Sequence, residues 1–197
     1  MCISDPKIVL ASGSPRRKAL LKSLGVNFSV LSSRFDERKV TAIEPKAYVK
    51  KLAALKAKEV SKRVKKGIII GADTVVVIGK KILNKPKDAA DARRMLELLS
   101  GKTHTVITGV CVINNYNKTS KIISVSARVR FKRLSEKTIN WYISTKEPLD
   151  KAGAYAIQGK GAILIEGISG DYNNIVGLPL AALSKILLQM GVPLNGR

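Results

Sequence analysis

A chain of 197 residues, 45% hydrophobic and 25% charged, has apolar material for one sizeable core and the composition of a soluble globular protein. Two cysteines and one histidine exclude a zinc site and a disulfide framework, and no apolar run approaches the ~20 residues of a membrane helix. The net charge of +22 favours anionic partners without choosing among nucleic acid, nucleotide and acidic surface, and much of the excess is lysine on predicted helix faces.

Lys7–Ala11 reads as a strand, and Ser14 then caps a helix that opens on Pro15 and stops before Gly25. A strand at Phe28–Leu31 leads into a polar loop with Asp36 and Glu37. Pro45 opens a long helix to about Lys65, with Tyr48, Val49, Leu52, Ala53, Leu55, Val60 and Val64 on its apolar face. Ile68–Ile78 is a buried strand by composition. Asp88–Ser100 is a helix closed by Gly101. Two strands, Thr105–Ile113 and Lys121–Phe131, flank a turn at Asn114–Asn117, and strict alternation in the second leaves one face packed and one wet. A helix starts at Ser135, a short strand is predicted at Ala162–Ile165, and Leu178–Met190 forms the last helix. Interleaved strands and helices, some joined by hairpins, predict an α/β fold with a mixed twisted sheet and flanking helices. No linker or repeat divides residues 1–197, so one domain is expected. The chain enters its first strand with no visible signal peptide, and its cysteine usage suits a reducing cytoplasm.

Three places carry chemistry. In Leu10-Ala11-Ser12-Gly13-Ser14-Pro15-Arg16-Arg17, a strand runs into a helix start whose free N–H groups lie beside two hydroxyls and two guanidinium forks. That arrangement suits a phosphate-bearing ligand, and it equally suits an ordinary capped helix with two solvated arginines. Asp73 interrupts an apolar strand, where an ionised carboxylate is costly unless it meets a metal, a cation or water. Gly71-Ala72 beside it reads as room for a ligand to approach. The alternative is an Asp capping a backbone N–H at a strand end; the functional reading is favoured. Glu37 is the candidate second carboxylate, since Mg²⁺ commonly takes two carboxylates with phosphate oxygens. Lys56 lies nearer the apolar face of its helix than neighbouring lysines, and Lys85 precedes a proline in a loop; each by itself is a surface residue by default. His104 has no nucleophile beside it. Gln158 is able to read a base edge with its amide or merely to satisfy a turn.

In order along the chain, Leu10–Arg17, Phe35-Asp36-Glu37, Leu52–Ala57, Gly71-Ala72-Asp73-Thr74-Val75-Val76, Lys85-Pro86, Met95–Gly101 followed by Lys102-Thr103-His104, Thr108-Gly109-Val110, Asp150–Gly159 and Gly170–Pro179 resemble the Maf family of nucleoside triphosphate pyrophosphatases. The resemblance implies a cytoplasmic, Mg²⁺- or Mn²⁺-dependent enzyme that splits a nucleoside triphosphate into monophosphate and pyrophosphate. It implies a fold related to the inosine triphosphate pyrophosphatases, with two lobes around a cleft. The family's catalytic aspartate falls on Asp73, its metal-side glutamate on Glu37, and its phosphate-binding residues on Arg16, Arg17, Lys56 and Lys85, beside the hydroxyls of Ser12 and Ser14. Arg16, Thr74 and Gln158 together resemble the dTTP/UTP subgroup. Asn84 stands where a glycine is more usual before Lys-Pro. The family is also associated with inhibition of septum formation. The expected partner is the triphosphate substrate, with no specific nucleic acid and no membrane, and a homodimer is left open. The rival reading is a basic nucleic-acid-binding protein without hydrolase activity. Only 5% of the residues are aromatic, which supplies a stacking platform for single strands poorly.

Overall fold

The computed structural model describes residues 6–41 and 44–194; Cys2 lies outside them. Its elements are β1 (Ile8–Leu10), α1 (Pro15–Lys22), β2 (Phe28–Val30), α2 (Pro45–Ser61), β3 (Ile68–Ile78), β4 (Lys81–Leu83), α3 (Ala89–Leu99), β5 (Thr103–Asn114), β6 (Thr119–Phe131), α4 (Glu136–Ser144), β7 (Ile165–Ser169), α5 (Tyr172–Val176) and α6 (Leu180–Gln189). The sheet runs β2-β1-β3-β5-β6-β7, with β4 paired on β3. β1 is parallel to both β2 and β3, while β3–β4 and β6–β7 are antiparallel. The expected mixed α/β sheet is therefore the one observed. The chain forms two compact units: the described residues up to Asp73 with 108–125 and from Gly177 onward, and residues 74–107 with 126–176.

In the first unit the two-residue period of the strands sorts the apolar side chains into two cores. Ile8, Leu10, Ile68, Ile70, Val110 and Val112 pack with Leu21 of α1 and Leu183 and Leu187 of α6. Val9, Ala11, Ile69 and Cys111 pack on the other face with Ala53, Ala57 and Val60 of α2. Both faces of β1 and β3 are covered, which is why they read as unbroken apolar runs. The same period puts Gly71 and Asp73 on the α2 side with Ile69. Gly71 is there because α2 lies directly on it: a Cβ at this position would sit 2.4 Å from Ala53 O and 2.8 Å from Ala57 N. The space at Gly71 is thus filled by a helix backbone, and the expected ligand approach is replaced by close helix–strand packing. Gly109 of β5 serves α2 in the same way, with Val49 O 2.3 Å from its would-be Cβ. The helix ends at Ser61, short of Lys65, because the Asn115 amide donates to the carbonyls of Ser61 (2.9 Å) and Val64 (2.6 Å) and satisfies the helix end from the β5–β6 turn.

The second unit has its own core, with Leu96 and Leu99 of α3, Phe131 of β6 and Tyr142 of α4. Here the strand expected at Ala162–Ile165 is a 3₁₀ turn over Gly159–Leu164, and the strand β7 begins where that turn ends. Asp171 Oδ1 accepts Asn173 N at 2.8 Å and caps α5. His104 lies in this core, 2% exposed, its Nε2 2.7 Å from the Tyr155 hydroxyl and its ring edge-on to Phe131 and Tyr155. Its Nδ1 has no partner. Burial lowers its pKa from 6.5 to about 4. Between those values the unfolded chain binds the proton and the folded chain does not. Stability from this group is full above about pH 6.5 and falls as the pH drops toward 4, by up to about 3 kcal/mol. Urea unfolding at pH 7.5 and 4.5 checks this: wild type should lose about 2 kcal/mol more than His104→Asn. Equal losses would remove His104 as the titrating group.

Candidate active site

Two carboxylates singled out in the first unit, Asp73 and Glu37, converge on one ammonium. Alternation along β3 aims Asp73 at α2, and the seating of α2 on Gly71 brings Lys56, one turn from Leu52, against it. Lys56 Nζ lies 2.6 Å from Asp73 Oδ1 and 2.7 Å from Glu37 Oε1. Lys56 and Asp73 are buried, at 9% and 6% exposure, while the Glu37 side chain is 48% exposed. Asp36 and Glu37 divide their work. Asp36 caps the 3₁₀ turn Glu37–Lys39 and pairs with Arg38, which frees Glu37 to face Lys56.

The helix start supplies the second cation. Ser14 Oγ accepts Arg17 N at 3.5 Å as the N-cap of α1, and Ser12 Oγ accepts Ser14 N at 3.3 Å. Arg17 folds back under this turn. Its Nε donates to Gly177 O at 2.8 Å, and one terminal nitrogen donates to Ala72 O at 2.9 Å and Ser12 Oγ at 3.3 Å. The guanidinium therefore grips the peptide that immediately precedes Asp73. Burial lowers the Arg17 pKa, and the carboxylates of Asp73 and Glu37 oppose that shift. Asp73 is raised above the usual carboxylate value by burial, with the charges of Lys56 and Arg17 pulling it back. A carboxylate so placed is a stronger proton acceptor than a solvated one.

The donor set suits a hard divalent cation. Asp73 Oδ1 and Glu37 Oε1 share one ammonium and so lie less than two hydrogen-bond lengths apart. No group of three or more His, Cys, Asp or Glu that could hold a metal occurs among the described residues. Two carboxylates with the remaining positions left to substrate phosphates and water is the usual arrangement for Mg²⁺.

The structure thus brings together Ser12, Ser14, Arg17, Glu37, Lys56 and Asp73, with Arg16 half-buried in the same turn of α1. Thr74, Lys85 and Gln158 belong to the second unit. There Lys85 and Gln158 are exposed on loops and Thr74 is half-buried at the start of that unit's share of β3. What the sequence did not mark is the role of Gly177, whose carbonyl anchors Arg17; the pairing spans 160 positions of chain, and no local pattern signals it.

The family described as Maf-like protein matches residues 7–190. The chain belongs to the Maf family. Among curated Maf relatives, a dTTP/UTP pyrophosphatase of Moorella thermoacetica is 46% identical over 97% of this chain and 98% of its own length. A protein of the same name from Bacillus cytotoxicus is 49% identical over 93% of this chain and 95% of its own, and one from Clostridium novyi is 47% identical over 95% and 100%. Among solved structures, the Staphylococcus aureus Ham1 protein superposes with a TM-score of 0.50 at 14% identity, covering 81% of this Maf chain and 79% of its own; the two share a fold. No helix among the described residues is long and apolar enough to cross a membrane.

Proposed function

We propose that this Maf protein is a metal-dependent nucleoside triphosphate pyrophosphatase acting on dTTP and UTP. It would cleave between the α- and β-phosphates to leave the monophosphate and pyrophosphate. The observation that carries the reading is the buried Lys56 ammonium shared by Asp73 and Glu37, in a chain whose relatives bear the name dTTP/UTP pyrophosphatase over nearly their full length.

In this reading Asp73 accepts the proton of the water that attacks phosphorus as the bond to the leaving pyrophosphate breaks. Lys56 holds Asp73 and Glu37 in register and adds positive charge. Arg17 fixes the peptide before Asp73 through Ala72 O, so the carboxylate meets the water without reorganising. Arg16, Lys85, the hydroxyls of Ser12 and Ser14 and the start of α1 neutralise charge gathering on the phosphates. Glu37 and Asp73 would hold Mg²⁺ or Mn²⁺, which when bound offsets the charge of the phosphate oxygens. Gln158 reads the base: its amide both donates and accepts, as the N3–H and carbonyl edge of uracil or thymine requires, with Thr74 shaping the same preference. Arg16 disfavours a cationic 7-methylguanine, which an aromatic face would hold better.

A panel of UTP, dTTP, CTP, GTP and 7-methyl-GTP with Mg²⁺, Mn²⁺ or chelator tests this. UTP and dTTP should give the highest kcat/KM, pyrophosphate should be the product, and chelation should abolish turnover. Gln158→Glu should narrow the gap between UTP and CTP by roughly tenfold, the value of one or two hydrogen bonds. Release of orthophosphate, a wild-type preference for 7-methyl-GTP, or salt-resistant, sequence-selective oligonucleotide binding without hydrolysis would overturn the assignment.

A further inference from the structure

The most tightly organised polar group outside the candidate site lies in the second unit. Residues Ala156–Gly161, which carry Gln158, wrap around two side chains from α4 and the turn after it. The Glu147 carboxylate accepts Gly161 N at 2.9 Å, Lys160 N at 3.1 Å and the Tyr142 hydroxyl at 2.9 Å. The Tyr142 hydroxyl in turn accepts Ala156 N at 3.0 Å. These groups hold the backbone on both sides of Gln158, leaving its side chain exposed between them.

The wrapping leaves no slack. Gly159 has φ +72°, and a Cβ there would lie 2.8 Å from Glu147 Oε2; a Cβ on Gly161 would lie 2.3 Å from Ala156 O and 2.5 Å from the Tyr142 hydroxyl. Tyr142 is fully buried, so its ring cannot follow the loop if the loop shifts. Burial alone would raise the Glu147 pKa, but the Gly161 N–H, the Tyr142 hydroxyl and the Lys160 N–H hold it below the ordinary carboxylate value. The charged form is the one the loop is built on.

We infer that Glu147, with Tyr142, is a positioning residue for substrate selection: it sets the Ala156–Gly161 backbone so that the Gln158 amide meets the base at one fixed position. This rests on the reading of Gln158 as the base contact. A carboxylate suits the task because it only accepts, and three donors converge on it. A glutamine would turn an N–H toward one of those donors and leave it unpaired.

The test uses the full chain and three variants, Glu147→Gln, Tyr142→Phe and Gln158→Ala. Amide hydrogen exchange is read without substrate, and kcat and KM are read for UTP and CTP. Glu147→Gln should speed exchange at Lys160 and Gly161, and Tyr142→Phe at Ala156. Each should lower the UTP-over-CTP ratio of kcat/KM roughly tenfold through the KM for UTP, with kcat largely kept, the size expected for a slightly misplaced contact. Should Gln158→Ala alter the ratio while both positioning variants keep it, Glu147 serves the loop's stability alone and the inference falls. Should Gln158→Ala itself leave the ratio unchanged, the base-contact reading fails, and the inference with it. Unchanged exchange in both positioning variants would also overturn it.

Discussion

An Asp73→Asn chain should fold and lose roughly 10²-fold or more in kcat, the range for removing a positioned general base. The substitution is nearly isosteric at a side chain that is only 6% exposed, so packing against α2 is preserved. It removes the acceptor whose basicity burial strengthens, and it leaves Lys56 paired with the Glu37 carboxylate alone. KM should move far less than kcat, because the groups of α1 proposed to face the phosphates are untouched. Turnover with UTP and Mg²⁺, measured beside a urea unfolding curve, separates loss of chemistry from loss of fold. Near-normal kcat would end the assignment of Asp73 as base. A kcat loss matched by collapse of the unfolding transition would show that the carboxylate matters for stability instead.

Gly71→Ala should strongly destabilise the first unit, as should Gly109→Ala, whose would-be Cβ is at least as crowded by α2. The added carbon would meet backbone atoms, Ala53 O at 2.4 Å and Ala57 N at 2.8 Å, and neither can rotate away. Only a shift of α2 off the sheet relieves the contact. Overpacking of this kind costs about 1–3 kcal/mol or more. The same shift would pull Lys56 away from Asp73, so kcat/KM should fall along with the unfolding midpoint. Gly167→Ala is the control, since nothing lies within 4 Å of its would-be Cβ. A Gly71→Ala protein as stable and active as the Gly167→Ala control would mean that the seat of α2 on β3 has far more slack than these distances allow.

These two expectations rest on features of different visibility. Asp73 stood out in the sequence because a carboxylate inside an apolar strand needs a compensating partner, and the partner is Lys56, the lysine whose helical position already leaned toward the apolar face. Glu37 reads in the sequence as a candidate second carboxylate, with Asp36 beside it as an equal acidic neighbour. Its separation from Asp36 follows from a local cap that the structure reveals. Gly71 suggests room for a ligand in the sequence, whereas its neighbour in the fold is the backbone of α2. A glycine in a strand says that something comes close, and sequence alone does not say whether that is a ligand or a helix.

By itself the sequence determined the mixed α/β class, the long β3 and α2, the capped start of α1, the packed-and-wet alternation in the second half of β6 and the candidate carboxylate on β3. Each is written in a local period, a cap or a composition, and each depends on residues within a turn or a strand of one another. The tertiary structure alone decided the end of α2, closed by Asn115 from a distant turn, and the 3₁₀ turn at Gly159–Leu164, shaped by Glu147 and Tyr142. It also decided that Arg17 grips Ala72 and Gly177 from within the fold. In all three cases a side chain satisfies backbone groups far away in sequence. Buried backbone donors and acceptors must find partners, but local pattern does not say which distant residue will supply them.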